Sequence, residues 1–142
     1  MGEGEGDGTA DLDATFDHAG VATEDADGLA TLYERLLGAP RVHEESFDGM
    51  RVVFLSTGAG YLELLEPRSE GPVARYLDRE GPGVHHLALA VDDVERALDR
   101  ARELGVEPID ETGRPGAWGH TVAFLHPRDT GGVLVEFVEH GD

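Results

Sequence analysis

The chain has no cysteine, no lysine, a single tryptophan, and no apolar run approaching the roughly 18 residues of a membrane span. Without cysteine there are no disulfides, no thiolate nucleophile and no sulfur-bound metal, so any metal site must be built from nitrogen and oxygen. Without lysine, all 11 cationic side chains are arginine, set against 30 carboxylates, for a formal charge of −19. Such a surface repels polyanions, which sets nucleic acid aside as a partner. The acidic loading reads most simply as adaptation to a high-salt cytoplasm, where at about 1 M salt the screening length is roughly 3 Å and net charge keeps a protein dispersed. Residues 1–15 are glycine-rich and acidic where a leader would be basic and then apolar, and are expected to form a disordered tail. The expected compartment is the cytoplasm, and no membrane partner is expected.

What is there is said nearly twice. Asp17-His18-Ala19-Gly20-Val21-Ala22 returns as His85-His86-Leu87-Ala88-Leu89-Ala90. Each copy sets a histidine at the mouth of an apolar strand and runs on through a helix. Each then ends in an apolar strand with a glutamate set between apolar neighbours, Leu62-Glu63-Leu64 in the first copy and Val135-Glu136-Phe137 in the second. Helix N-caps are expected at Thr23 or Asp25, before apolar residues at helical spacing (Leu29, Leu32, Tyr33, Leu36, Leu37), and at Asp92, before Val94, Ala97, Leu98, Ala101 and Leu104. Strands are predicted at 16–22, 41–45, 50–56 and 61–65, a short helix from about Pro72, then strands at 84–91, 106–110, 121–125 and 132–139. The fold class is therefore α+β, with two tandem βαβββ modules, about 16–67 and 83–139, in one domain spanning 16–142. The modules are expected to make a cupped, open, barrel-like mixed sheet with helices outside.

Strand alternation places Gly20 and Ala22 on the face of His18, and Ala88 and Ala90 on the face of His86, so each histidine looks onto small residues, as a ligand cavity requires. Glu63 and Glu136 each sit between apolar neighbours. A carboxylate buried there without a cation costs several kcal/mol. Two histidines and two carboxylates at matched places thus suggest that His18, Glu63, His86 and Glu136 ligate one divalent ion, of the kind that takes nitrogen and oxygen donors: Co²⁺, Mn²⁺, Ni²⁺, Fe²⁺ or Zn²⁺. The plain alternative is that these are strand-end histidines and water-facing glutamates. His85 is expected to point away from its neighbour, His43, His126 and His140 to lie at the surface, and His120, beside Trp118, to line a pocket.

The doubled unit with His18, Glu63, His86 and Glu136 resembles the glyoxalase, or vicinal oxygen chelate, superfamily over 16–139. Four stretches bring it close to the methylmalonyl-CoA epimerase branch: Phe16-Asp17-His18-Ala19-Gly20, Tyr61-Leu62-Glu63-Leu64-Leu65-Glu66-Pro67, Gly83-Val84-His85-His86 and the His126-Pro127 turn leading into Gly131-Gly132-Val133-Leu134-Val135-Glu136. The resemblance implies an isomerase that interconverts (R)- and (S)-methylmalonyl-CoA. Proton abstraction alpha to the thioester would pass through a metal-stabilised enolate. It also implies one divalent ion per chain, an acyl-CoA substrate and a homodimer, with Glu136 as ligand and proton carrier. Some members place a second glutamate on the strand after Asp48-Gly49, where this chain reads Met50-Arg51-Val52-Val53-Phe54. By similarity to enzymes with two metal-bound glutamates, Glu63 is the candidate second base. The alternatives are a lactoylglutathione lyase-type isomerase on the same metal, a ring-cleaving Fe²⁺ dioxygenase, against which Glu63 argues, and a non-catalytic small-molecule binder of the same fold.

Overall fold

The computed structural model describes residues 12–141, so most of the expected tail, 1–11, lies outside the described residues. The elements run β1 (Thr15–Ala22), α1 (Ala26–Leu37), β2 (Arg41–Phe47), β3 (Met50–Ser56), β4 (Tyr61–Pro67), α2 (Pro72–Glu80), β5 (Gly83–Ala90), α3 (Val94–Glu103), β6 (Arg114–Pro115), β7 (Thr121–Leu125) and β8 (Val135–Glu139). Strand, helix and three strands occur twice in that order, with α2 between them. The class is α+β, and no helix among the described residues is long and apolar enough to cross a membrane. Two compact units can be described separately: residues 17–88, and residues 89–141 together with 12–16.

In the first unit the strand order is β2-β3-β4-β1-β5. β2, β3 and β4 are antiparallel neighbours, while β1 runs parallel to β4. The helix α1 starts at Asp25, whose carboxylate accepts from the Gly28 amide and caps the first turn. Its Ala26 and Ala30 pack with Val53, Leu55 and Leu64 from one face of β3 and β4. Complete burial of side chains such as Leu55 and Leu64 is worth about 1.5–3 kcal/mol each. Because Leu62 and Leu64 turn toward α1, alternation turns Glu63 to the opposite face.

The helix is also held by charge. The Asp27 carboxylate in its first turn accepts from Arg51 Nε and Nη2 at 3.0 and 2.8 Å and from Arg41 Nη1 at 2.9 Å. Hydrogen bonds from Arg51 and then Arg41 pull its pKa down from 3.8 to about 2. Two of the 11 arginines are thus spent on one carboxylate at the join of α1, β2 and β3.

In the second unit α3 packs Val94, Ala97, Leu98 and Ala101 against Ala123, Leu125 and Phe137 of β7 and β8. Leu12 packs against the same cluster, so the described structure begins ahead of residue 16. β6, β7 and β8 are successive antiparallel neighbours. Trp118, in the loop before β7, adopts the left-handed region at φ 64°.

Three local expectations are corrected here. The helix N-cap is Asp93, whose carboxylate accepts from the Glu95 and Arg96 amides, and not Asp92. The strand predicted at 106–110 does not form. Pro108 has no amide hydrogen to give and makes an isolated bridge to Leu125, Val106 N turns back to Ala101 O, and Ile109 N closes on Phe124 O. The place of that strand is taken by Arg114–Pro115, which pairs with Thr121 and Val122. The last strand starts at Val135 and not at 132, because Gly131 and Gly132 sit at φ 75° and 85°, outside the extended region.

Candidate metal centre

In the parallel β1 and β4 pair, His18 stands beside Tyr61 and Gly20 beside Glu63, which puts His18, Gly20 and Glu63 on the face away from α1. The third donor, His86, comes from β5. Glu63 Oε1 lies 3.1 Å from His18 Nε2 and 3.3 Å from His86 Nε2, and the two nitrogens are 3.4 Å apart. All three residues are buried, at 4% (His18), 6% (Glu63) and 4% (His86) exposure. Phe54, opposite Glu63 on β3, sets its ring edge-on to His18 at 5.8 Å and supplies an apolar wall.

The donor set can be tested against an ion. With metal–ligand bonds of about 2.1 Å, adjacent donors of a six- or four-coordinate ion stand about 3.0 to 3.4 Å apart. The three measured separations, 3.1, 3.3 and 3.4 Å, all fall in that interval. Two imidazoles and a carboxylate are donors suited to a divalent transition ion, and a carboxylate in such a setting needs a cation. The residues fit the group.

Gly20 is part of the construction. A Cβ there would lie 2.1 Å from His86 Cε1 and 2.5 Å from its Nδ1, so the His86 ring occupies the space that any other residue's side chain would take. The small face expected from alternation is thus filled by a ligand from a neighbouring strand.

Burial works to raise the Glu63 carboxyl. Hydrogen bonds with His18 and then His86 outweigh it and hold the group well below its ordinary 4.5. A depressed carboxyl contributes stability that is present above its unfolded value and lost as the pH falls toward its folded one. Melting temperatures of metal-free protein should therefore show wild type and Glu63→Gln converging as the pH is lowered from 4.5 toward about 2. A gap that stayed constant across that range would contradict the account.

Glu136, the fourth expected ligand, belongs to the second unit. It is buried in β8 at 6% exposure and stands opposite Phe124. The expectation for His85 is corrected: its Nδ1 lies 2.9 Å from His86 Nδ1, because a side chain at a strand mouth can fold back over its neighbour. Likewise Asp17, not singled out from the sequence, is buried with its Oδ2 2.7 Å from His18 Nδ1. The signal available for both was adjacency to a ligand histidine. His43 lies within β2, half-buried, with its Nε2 3.1 Å from Glu45 Oε2. His120 joins a ring stack, 4.2 Å from His140 and 5.9 Å from Trp118.

Residues 15–137 match the family described as Glyoxalase/Bleomycin resistance protein/Dioxygenase superfamily. The chain is 36% identical over 127 residues to the ethylmalonyl-CoA/methylmalonyl-CoA epimerase of Cereibacter sphaeroides, covering 85% of this chain and 94% of that one. Among solved structures it is similar to methylmalonyl-CoA epimerase from Mycobacterium tuberculosis, with TM-score 0.86, 37% identity and coverage of 92% and 90% of the two chains. It is also similar to a methylmalonyl-CoA epimerase solved in complex with methylmalonyl-CoA and NH4+, with TM-score 0.84, 35% identity and coverage of 92% and 96%.

Proposed function

The chain belongs to the Glyoxalase/Bleomycin resistance protein/Dioxygenase superfamily, and within it we propose that this protein is a metal-dependent epimerase interconverting (R)- and (S)-methylmalonyl-CoA. The observation that carries the reading is the buried His18–Glu63–His86 triangle, with donors spaced as neighbours on one ion, in a chain whose relatives of similar length are named for this reaction.

The substrate carbon lies between a thioester and a carboxylate, and its hydrogen is acidic only if the charge left on the thioester oxygen is stabilised. What a bound divalent ion supplies is positive charge beside that oxygen and the carboxylate. His18, His86 and Glu63 of the first unit would hold it, and Glu136 is proposed as the fourth ligand, since it occupies in the second repeat the place of Glu63 in the first. Inversion requires that a proton leave one face of the carbon and another arrive on the opposite face. Glu136 is assigned to one face and Glu63 to the other, each taking a proton in one direction and returning it in the reverse. Phe54, opposite Glu63 and edge-on to His18, keeps water from that side of the triangle.

Incubation with methylmalonyl-CoA in D2O tests the reading. Deuterium is expected at C2 together with interconversion of the epimers, from protein carrying about one divalent ion per chain. Protein that binds no ion, or that turns over methylglyoxal with glutathione and leaves methylmalonyl-CoA unlabelled, would overturn it.

A further inference from the structure

Both histidines of the triangle are met from behind by the residue that precedes them in the chain. His18 Nδ1 lies 2.7 Å from Asp17 Oδ2, and His86 Nδ1 lies 2.9 Å from His85 Nδ1. Neighbouring side chains on a strand ordinarily point to opposite faces, so each contact requires the preceding side chain to fold over the strand mouth, and it does so in both repeats. In the first case the partner is a buried carboxylate at 7% exposure. In the second it is an imidazole that is itself placed. The His85 ring packs edge-on against Tyr76 of α2 at 5.1 Å, and the Tyr76 hydroxyl donates to the Val84 carbonyl at 2.8 Å, closing α2 onto the start of β5.

We propose that Asp17 and His85 are positioning residues that fix the tautomer and ring orientation of His18 and His86, with Tyr76 holding His85 in place. An imidazole can offer the Nε2 lone pair to a metal only when its proton sits on Nδ1, and that proton needs an acceptor. Asp17 can only accept, so His18 Nδ1–H donates to it and Nε2 is left facing Glu63 and His86. His85 accepts through an unprotonated Nδ1, which makes His86 the donor in that pair. The two ligands therefore differ: His18 is backed by an anion and is the stronger donor, whereas His86 is backed by a neutral ring. The edge-on geometry of the two rings, 87° between planes, lets the His86 N–H point along the lone pair of His85.

The inference rests on the metal reading above, and the experiment separates the two. Co²⁺ alone is titrated into metal-free, full-length protein, its affinity measured by competition with a chromophoric chelator and its coordination by visible absorption. Asp17→Ala is expected to weaken binding by about 10- to 100-fold, and His85→Phe by a smaller factor within the same order. Asp17→Asn and His85→Gln, which restore an oxygen acceptor at each place, are expected to recover much of the loss and to return the Co²⁺ absorption toward that of wild type. If wild type takes up Co²⁺ and Asp17→Ala and His85→Phe bind it equally well, the positioning role is overturned while the metal reading stands. The role is also overturned if Asn and Gln lose as much as Ala and Phe, since packing alone would then explain the effect. If wild type itself takes up no Co²⁺, both are overturned.

Discussion

Replacing Glu136 by glutamine is expected to leave a folded chain in which the interconversion of the two epimers is slower by about 10²- to 10⁴-fold, the range usually lost with a general base. Glutamine keeps the shape of the side chain and an oxygen for whatever it touches, but its amide cannot take a proton. Burying a neutral amide at this position of β8 also costs less than burying a carboxylate, so the melting temperature of the metal-free protein should not fall. The proposed division of labour between the two carboxylates gives the result a finer signature. With Glu63 working alone, deuterium still enters from solvent into one epimer, on the face assigned to Glu63, while inversion is slowed by that factor. Chiral analysis of the labelled thioester in D2O measures both quantities. A variant that interconverts the epimers at the wild-type rate would remove Glu136 from the reaction, and an unfolded variant would show a structural requirement instead.

Gly20→Ala is expected to abolish tight divalent binding while leaving His18, Glu63 and His86 themselves unsubstituted. One added methyl group would sit 2.1 Å from His86 Cε1 and 2.6 Å from its Nε2, contacts that no small adjustment relieves. The atoms that must yield belong to an imidazole pressed on its far side by His85, so the ring has to swing away and carry its Nε2 from Glu63 and His18. Overpacking of this kind costs about 1–3 kcal/mol in stability. The loss in Co²⁺ affinity should exceed the about 10- to 100-fold typical of changes behind the ligands, since here a ligand itself is displaced. Isothermal titration with Co²⁺, alongside a thermal melt of the metal-free protein, separates the two effects. Wild-type affinity in Gly20→Ala would mean that His86 is not required where the structure places it.

Much of this could be read from the residues themselves. Strands at 50–56 and 121–125 have the limits their apolar runs suggested, because the first runs from the Asp48-Gly49 turn to the glycines at 58 and 60 and the second ends at the His126-Pro127 turn. The gathering of His18, Glu63 and His86 was legible because burial leaves a carboxylate few options, and because the second histidine repeats the setting of the first. Other features depended on geometry that composition does not carry. Asp92 and Asp93 are equivalent as residue types, and only the backbone angle at Asp93, φ −149° and ψ 107°, selects the cap. Residues 106–110 carry a valine and an isoleucine between turn residues, yet Pro108 has no amide hydrogen to give to a partner strand. His85 was misread because alternation describes where a side chain leaves the backbone and not where a long ring ends. The need for glycine at position 20 follows from His86, 66 residues later, and nothing local announces it.

The loop that turns at Trp118 has a practical consequence. It carries the chain's single indole, held at φ 64° beside the ring of His120, so light absorbed beyond the tyrosine band is re-emitted from one address. Fluorescence from the unlabelled protein is therefore a local report on the approach to β7 and not an average over the molecule. A denaturation curve followed by emission and one followed by backbone dichroism would coincide only if that loop lets go together with the rest.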